Sequence, residues 1–326
     1  MVTHKPLNQK ESIMKSILRP ILMAAAIGSA GAAQAADQAP AVRYDTVQAK
    51  GVEVFYREAG PQDAPAVLLL HGFGASSHMF RDLIPKLATG YRVIAPDLPG
   101  FGLTRTDASF RYTFDNLADV IDAFTTAKGL QRYAIYVFDY GAPVGWRLAV
   151  RHPEKITAVV SQNGNAYEEG LSPGWAPMRA AWANPTPENR EALRKFNTLD
   201  MLKWQYVEGV KDTSVVPPEG YLLAHEAIQR IGVDPQMDLL VDYAQNIKQY
   251  AQLHKFFRQY QPPTLAIWGK NDPFFLPPGA EAFKRDNPKA EVRLLDTGHF
   301  AIETHGAEIA REMRSFLDRH LGASKQ

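Results

Sequence analysis

The sequence predicts an α/β protein with a mostly parallel, doubly wound sheet, interrupted before its last two strands by a helical insertion. Three observations predict this class. Short continuous apolar runs recur along the chain, of the kind that suits strands buried on both faces. Helical periodicity falls between several of them. From 163 to 261 strand patterning stops, and a stretch rich in Trp, Tyr and Gln takes over, punctuated by Pro185, Pro187, Pro217 and Pro218.

The first 35 residues do not belong to this pattern. Lys15 and Arg19 precede the apolar run 21–27, and small residues follow, ending in Ala33-Gln34-Ala35. A charged segment, a short apolar core and an A-x-A site resemble a secretory signal peptide. The apolar run is too short for a permanent membrane anchor. The expectation is an exported protein, periplasmic or secreted, cleaved near Ala35. These residues carry a net +3 against +1 for the whole chain, so the mature chain would stand at −2.

After a Pro/Ala-rich leader, 52–58 alternates like a half-exposed strand. The run 66–70 (Ala-Val-Leu-Leu-Leu) is a buried strand, 92–95 a third, and 134–138 a fourth after helical periodicity over 113–128. Strand patterning continues at 156–161, resumes at 264–268 and 292–295, and an amphipathic helix over 307–320 closes the chain. The organisation expected is a signal at 1–35, a first core part at 36–162, the helical insertion at 163–261 and a second core part at 262–326.

Composition narrows the function classes. With 326 residues, 45% hydrophobic and 22% charged, the chain reads as globular. No basic block supports nucleic-acid binding. The absence of cysteine excludes a Cys nucleophile, a Cys-ligated zinc and a disulfide framework. The histidines show no metal spacing such as H-E-x-x-H, and no cofactor is expected.

The chemistry starts at Asp139. It follows the strand 134–138, with Gly141 two residues on and Pro143 suited to a first helical turn. A strand-to-helix turn this tight strains its central residue and aims backbone N–H groups at its side chain. That slot often holds Ser in G-x-S-x-G; here it holds a carboxylate, which can displace at a saturated carbon and form an ester that water then hydrolyses. A plain helix cap is the other reading of the position. Two partners favour chemistry. The loop Leu70-His71-Gly72-Phe73-Gly74 follows a buried strand, where this kind of fold draws an oxyanion-hole N–H, so Phe73 and Tyr140 N–H are the expected pair. His71 looks like a base but is read as a structural hydrogen-bonder at the substrate pocket. After the last strand comes Asp296-Thr297-Gly298-His299, and Asp272 follows the strand before it, 27 residues ahead of His299. The order nucleophile, acid, histidine makes a triad of Asp139, Asp272 and His299.

The segments HGFGASS, PDLPGFGLT, VFDYGAPVG, WGKNDPFF and DTGHFAIE resemble the epoxide hydrolase and haloalkane dehalogenase branch of the α/β-hydrolase fold, over about residues 44–322. The resemblance implies that the insertion 163–261 is a cap over the site. It also implies, for an epoxide hydrolase, two cap tyrosines that protonate the epoxide oxygen. Tyr243, in the segment 238–246, fits the second of these. For the first, Tyr206 is the nearest phenol; Trp204 could occupy that slot as part of the substrate pocket, and Tyr167 and Tyr221 are further alternatives. Dehalogenases of this branch usually have Trp after the nucleophile, and here that residue is Tyr140, although Trp175, Trp182 or Trp204 could contribute from the cap. The reading is therefore an epoxide hydrolase acting on a small apolar epoxide with water, the alternatives being a haloalkane or haloacid dehalogenase and a non-catalytic receptor on the same fold. The oligomeric state is not legible.

Overall fold

The computed structural model describes residues 40–322. The expected signal segment and its cleavage site lie outside the described residues. One eight-stranded sheet runs in the order β1-β2-β4-β3-β5-β6-β7-β8. Its strands are β1 (Arg43–Ala49), β2 (Val52–Ala59), β3 (Ala66–Leu70), β4 (Arg92–Pro96), β5 (Tyr133–Phe138), β6 (Ile156–Gln162), β7 (Thr264–Gly269) and β8 (Glu291–Leu295). β1 and β2 pair antiparallel, as do β2 and β4; all other pairs are parallel. The apolar runs behave as their composition requires: every residue of β3, β5 and β7 is buried.

Two expectations need correction. The segment before 52 is not only a leader, because 43–49 forms β1. Its side chains are mostly exposed, so it has no apolar pattern; a Lys50-Gly51 turn with both φ positive (49° and 77°) folds it back on β2. The closing helix begins earlier than 307, at Ala301, because its first turn packs Ala301 and Ile302 against the sheet and a break at His305 separates that turn from the amphipathic stretch.

Helices cover both faces. α1 (Leu83–Leu87) shares one face with the closing helix, whose Ile309, Met313, Phe316 and Leu317 are fully or almost fully buried. Burial of side chains like these stabilises by about 1.5–3 kcal/mol each. The other face carries α2 (Phe114–Ala127), capped by the Thr113 side chain, and α3 (Gly141–Arg151). Between β6 and β7 the chain runs through α4 (Ala176–Ala183), α5 (Pro187–Glu191), α6 (Leu199–Val207), α7 (Glu219–Ile231), α8 (Asp234–Asp242), α9 (Ala244–Lys248) and α10 (Tyr250–Tyr260). Two short helices, α11 (Pro277–Glu281) and α12 (Phe283–Asp286), link β7 to β8, and α13 (Ala301–Leu321) is the closing helix. The loops after β3, β5, β6, β7 and β8 all open at the carboxyl edge of the parallel strands. Sites of open α/β sheets form at that edge.

Candidate active site

Asp139 occupies the turn between β5 and α3 with φ 47°, a left-handed conformation costly for a residue with a Cβ. Glycines on both sides make the turn possible. A Cβ on Gly141 would sit 2.2 Å from the Leu70 carbonyl oxygen, and one on Gly72 would sit 2.4 Å from the Asp139 Cβ. Only bare backbone lets the β3 loop and the β5 turn approach this closely.

That approach brings the Phe73 N–H to Asp139 Oδ1 at 2.6 Å. The other oxygen, Oδ2, lies 3.8 Å from His299 Nε2. His299 Nδ1 shares a 2.7 Å hydrogen bond with Asp272 Oδ2. Asp272 is itself fixed by four donors: the Phe274 N–H (2.7 Å) and Phe275 N–H (3.1 Å) on Oδ1, and the Asn163 Nδ2 (2.7 Å) with the imidazole on Oδ2. The three side chains expected to form a triad therefore converge, and all three are buried.

Charge in this buried cluster is tuned by its neighbours. Burial pushes the Asp139 carboxyl above the ordinary carboxylate range, against the His299 charge and the N–H groups of Phe73 and Tyr140, which pull it down. Burial alone would depress the His299 imidazole. The Asp272 charge and hydrogen bond, with the Asp139 charge, outweigh it, and the pKa stands above the ordinary histidine value.

Beside Asp139 lies a cavity walled by Phe73, Tyr140, Trp175, Gln205, Leu240 and Phe274, with Met178 and Phe196 behind. Free positions for the centre of a water-sized sphere amount to about 30 Å³, room for about two waters at roughly 10–15 Å³ each. The lining is apolar apart from Asp139, the Tyr140 phenol and the Gln205 carboxamide. α4, α6 and α8 of the helical insertion supply one wall and the core loops the other.

Several other residues named from the sequence lie elsewhere. Tyr206 does not line the cavity: its ring stacks on Phe300 at 3.6 Å and its hydroxyl donates to the Gly74 carbonyl at 2.8 Å. The physical reason is its helical neighbour. Successive residues on α6 point about 100° apart, so with Gln205 facing the cavity Tyr206 turns to the β3 loop. Trp204 turns the other way, 36% exposed, and covers Phe274 from outside. His71 does not line the cavity. Its Nε2 accepts from the Leu98 N–H at 2.9 Å and its Nδ1 lies 3.0 Å from the Gly72 carbonyl, so the ring holds two loops together. Burial lowers its pKa despite the Asp97 charge, which keeps it neutral. Tyr243 sits behind the cavity wall, its ring 4.5 Å from Trp175 and 5.8 Å from Tyr140. It borders a second small cavity with Asn165 and Tyr250. Burial, Tyr250 and the Asp139 charge hold its phenol well above the ordinary pKa, so it is protonated at neutral pH and feels the nucleophile.

The sequence reading missed Gln205 and Asn163. Gln205 gave no signal, because an amide beside a phenol is easily passed over when an acid is sought. Asn163 gave a usable one: an Asn before Gly at the end of a buried strand suits a left-handed turn, and its φ is 47°.

A family model described as alpha/beta hydrolase fold matches residues 65–306. An uncharacterized hydrolase of Saccharomyces cerevisiae is 43% identical over 84% of this chain and 97% of its own length. A haloalkane dehalogenase of Bradyrhizobium diazoefficiens is 34% identical over 82% of this chain and 91% of its own. Among solved structures, an epoxide hydrolase of Vigna radiata superposes with a TM-score of 0.68 at 25% identity, covering 85% of this chain and 98% of that one.

Proposed function

Because this chain belongs to the α/β-hydrolase fold family, among hydrolases similar to epoxide hydrolases and haloalkane dehalogenases, we propose that it hydrolyses a small apolar epoxide to a vicinal diol through an ester on Asp139. The observation that carries the reading is the division of labour between the two Asp139 oxygens. Oδ1 is held by the Phe73 N–H, while Oδ2 faces His299 without a direct hydrogen bond, 3.8 Å away. A carboxylate so arranged has one oxygen free to attack and the other already in an oxyanion hole.

Oδ2 attacks an epoxide carbon, the ring C–O bond breaks, and its electron pair goes to the oxygen, which takes the Tyr243 proton once the bound substrate displaces the wall that separates this phenol from the cavity. His299, oriented by Asp272, then removes a proton from water as the water oxygen adds to the ester carbon. The developing charge on Oδ1 is met by the Phe73 and Tyr140 N–H groups, worth about 3–4 kcal/mol in comparable sites. Collapse expels the diol, which takes one proton from the site, and the second proton of the water restores Tyr243. The reaction consumes one water and needs no cofactor.

One observation favours a second reading. Tyr206 is committed to Gly74, so the pair of cap phenols that an epoxide hydrolase would use is reduced to one. A halide is a weak base and leaves without a proton, needing only N–H or O–H dipoles around it. Incubation with 1,2-epoxybutane and with 1-bromobutane, measuring diol and bromide, separates the two. The proposal expects diol to form faster; bromide without diol would make the enzyme a dehalogenase, and neither product would remove displacement at carbon from its repertoire.

A further inference from the structure

Gln205 is 4% exposed and stands in the wall of the Asp139 cavity among aromatic and aliphatic side chains. Its Nε2 is buried without an acceptor in the protein. An unpaired amide N–H in an apolar wall is unfavourable, and Met would fill the same space without that cost. Of the other polar groups near the cavity, the Trp175 indole N–H donates to the Phe274 carbonyl at 3.1 Å and the Tyr206 hydroxyl to the Gly74 carbonyl, while the buried Tyr140 hydroxyl is, like Gln205 Nε2, without a partner in the protein. The bond from Tyr206 to Gly74 sets the rotation of α6, with help from Leu202, which packs on Gly74 one turn before Gln205. The fold thus holds a carboxamide at the cavity and provides its N–H with nothing to bind.

We propose that the Gln205 carboxamide donates a hydrogen bond to the leaving atom of the substrate, in the position expected of a second cap phenol. The inference rests on the reading of Asp139 as nucleophile. As the new bond to Asp139 Oδ2 forms and the ring C–O bond breaks, the electron pair arriving on the oxygen is met by the Gln205 N–H. The amide proton stays on nitrogen; the proton that ends on the oxygen comes from Tyr243. Gln205 therefore polarises the leaving atom without protonating it, so it serves a departing halide as well as an epoxide oxygen. The site would tolerate both leaving groups for this reason, with Tyr243 supporting the epoxide alone.

The test measures single-turnover ester formation with 1,2-epoxybutane and with 1-bromobutane, in a His299→Gln background that stops the second step. Gln205→Met keeps size and burial, and its folding is checked by thermal melting. It should slow ester formation by about 10- to 100-fold on both electrophiles. With His299 intact, hydrolysis of an ester already formed should change by less than about twofold, since that step turns on the oxyanion hole and the histidine instead. Gln205→Glu supplies the second readout. The carboxyl that this substitution introduces can donate while protonated, whereas its anion repels Asp139, so ester formation should gain a fall on the alkaline side that the parent lacks. Unchanged ester formation in Gln205→Met would overturn the inference, as would equal slowing of both steps or a Gln205→Glu profile matching the parent. If the parent itself forms no ester with either electrophile, the Asp139 reading fails and takes this inference with it.

Discussion

At the scale of single residues, the site is governed by what one charge does to its neighbours. The Asp139 carboxyl is raised by burial, so attack should be complete above its pKa and be lost as pH falls through a value above the ordinary carboxylate range. His299 is raised partly by the Asp139 charge. Once Asp139 is esterified that charge is gone, and the imidazole pKa must drop. Hydrolysis of the ester needs neutral His299, so it should be lost on acidification only below the pH at which His299 titrates in the free enzyme. Rapid-quench measurement of ester breakdown against pH, beside an NMR titration of His299 in the free protein, checks this; identical values would mean that Asp139 and His299 do not interact as the 3.8 Å separation implies. Residue chemistry was the most legible level. Asp139 and Asp272 announce themselves because each follows a buried apolar run, and His299 because it closes the nucleophile–acid–histidine order after the edge strand β8; the strand ends fix where they go. Gln205 was not legible: which of three consecutive residues on a helix faces a cavity depends on the rotation of that helix, and that depends on tertiary contacts such as the bond from Tyr206 to Gly74.

At the scale of elements, α6 and α8 divide the roles that the sequence had assigned to two equivalent tyrosines. Tyr206 is a positioning residue of α6, whereas Tyr243, at the end of α8, feels the nucleophile's charge. Their substitutions should therefore differ in kind. Tyr206→Phe removes one hydrogen bond and should cost about 1 kcal/mol of stability, with similar and modest losses on epoxide and bromide. Tyr243→Phe removes the proton donor and should slow epoxide opening by about 100-fold while leaving bromide displacement nearly intact. Single-turnover rates on both electrophiles decide the matter, and equal losses for Tyr243→Phe would reduce that residue to a piece of wall. The core strands could be read from their apolar runs because they are buried on both faces. β1 could not, since an edge strand with exposed side chains carries no such pattern and is held by its backbone and the Lys50-Gly51 turn.

At the scale of the whole molecule, six parallel strands present six loop ends at one edge, and the helical insertion between β6 and β7 closes a small apolar space over them. Excluding water there strengthens every charge interaction that the mechanism uses. The central claim is that the bond to substrate is made by Asp139 and broken by His299. Intact-protein mass of the His299→Gln variant after exposure to 1,2-epoxybutane, followed by peptide mapping, tests it most directly. The account predicts a stable gain of one substrate mass located on Asp139, absent from an Asp139→Ala variant treated in the same way. A variant that turns over without any adduct, or an adduct on another residue, would contradict it.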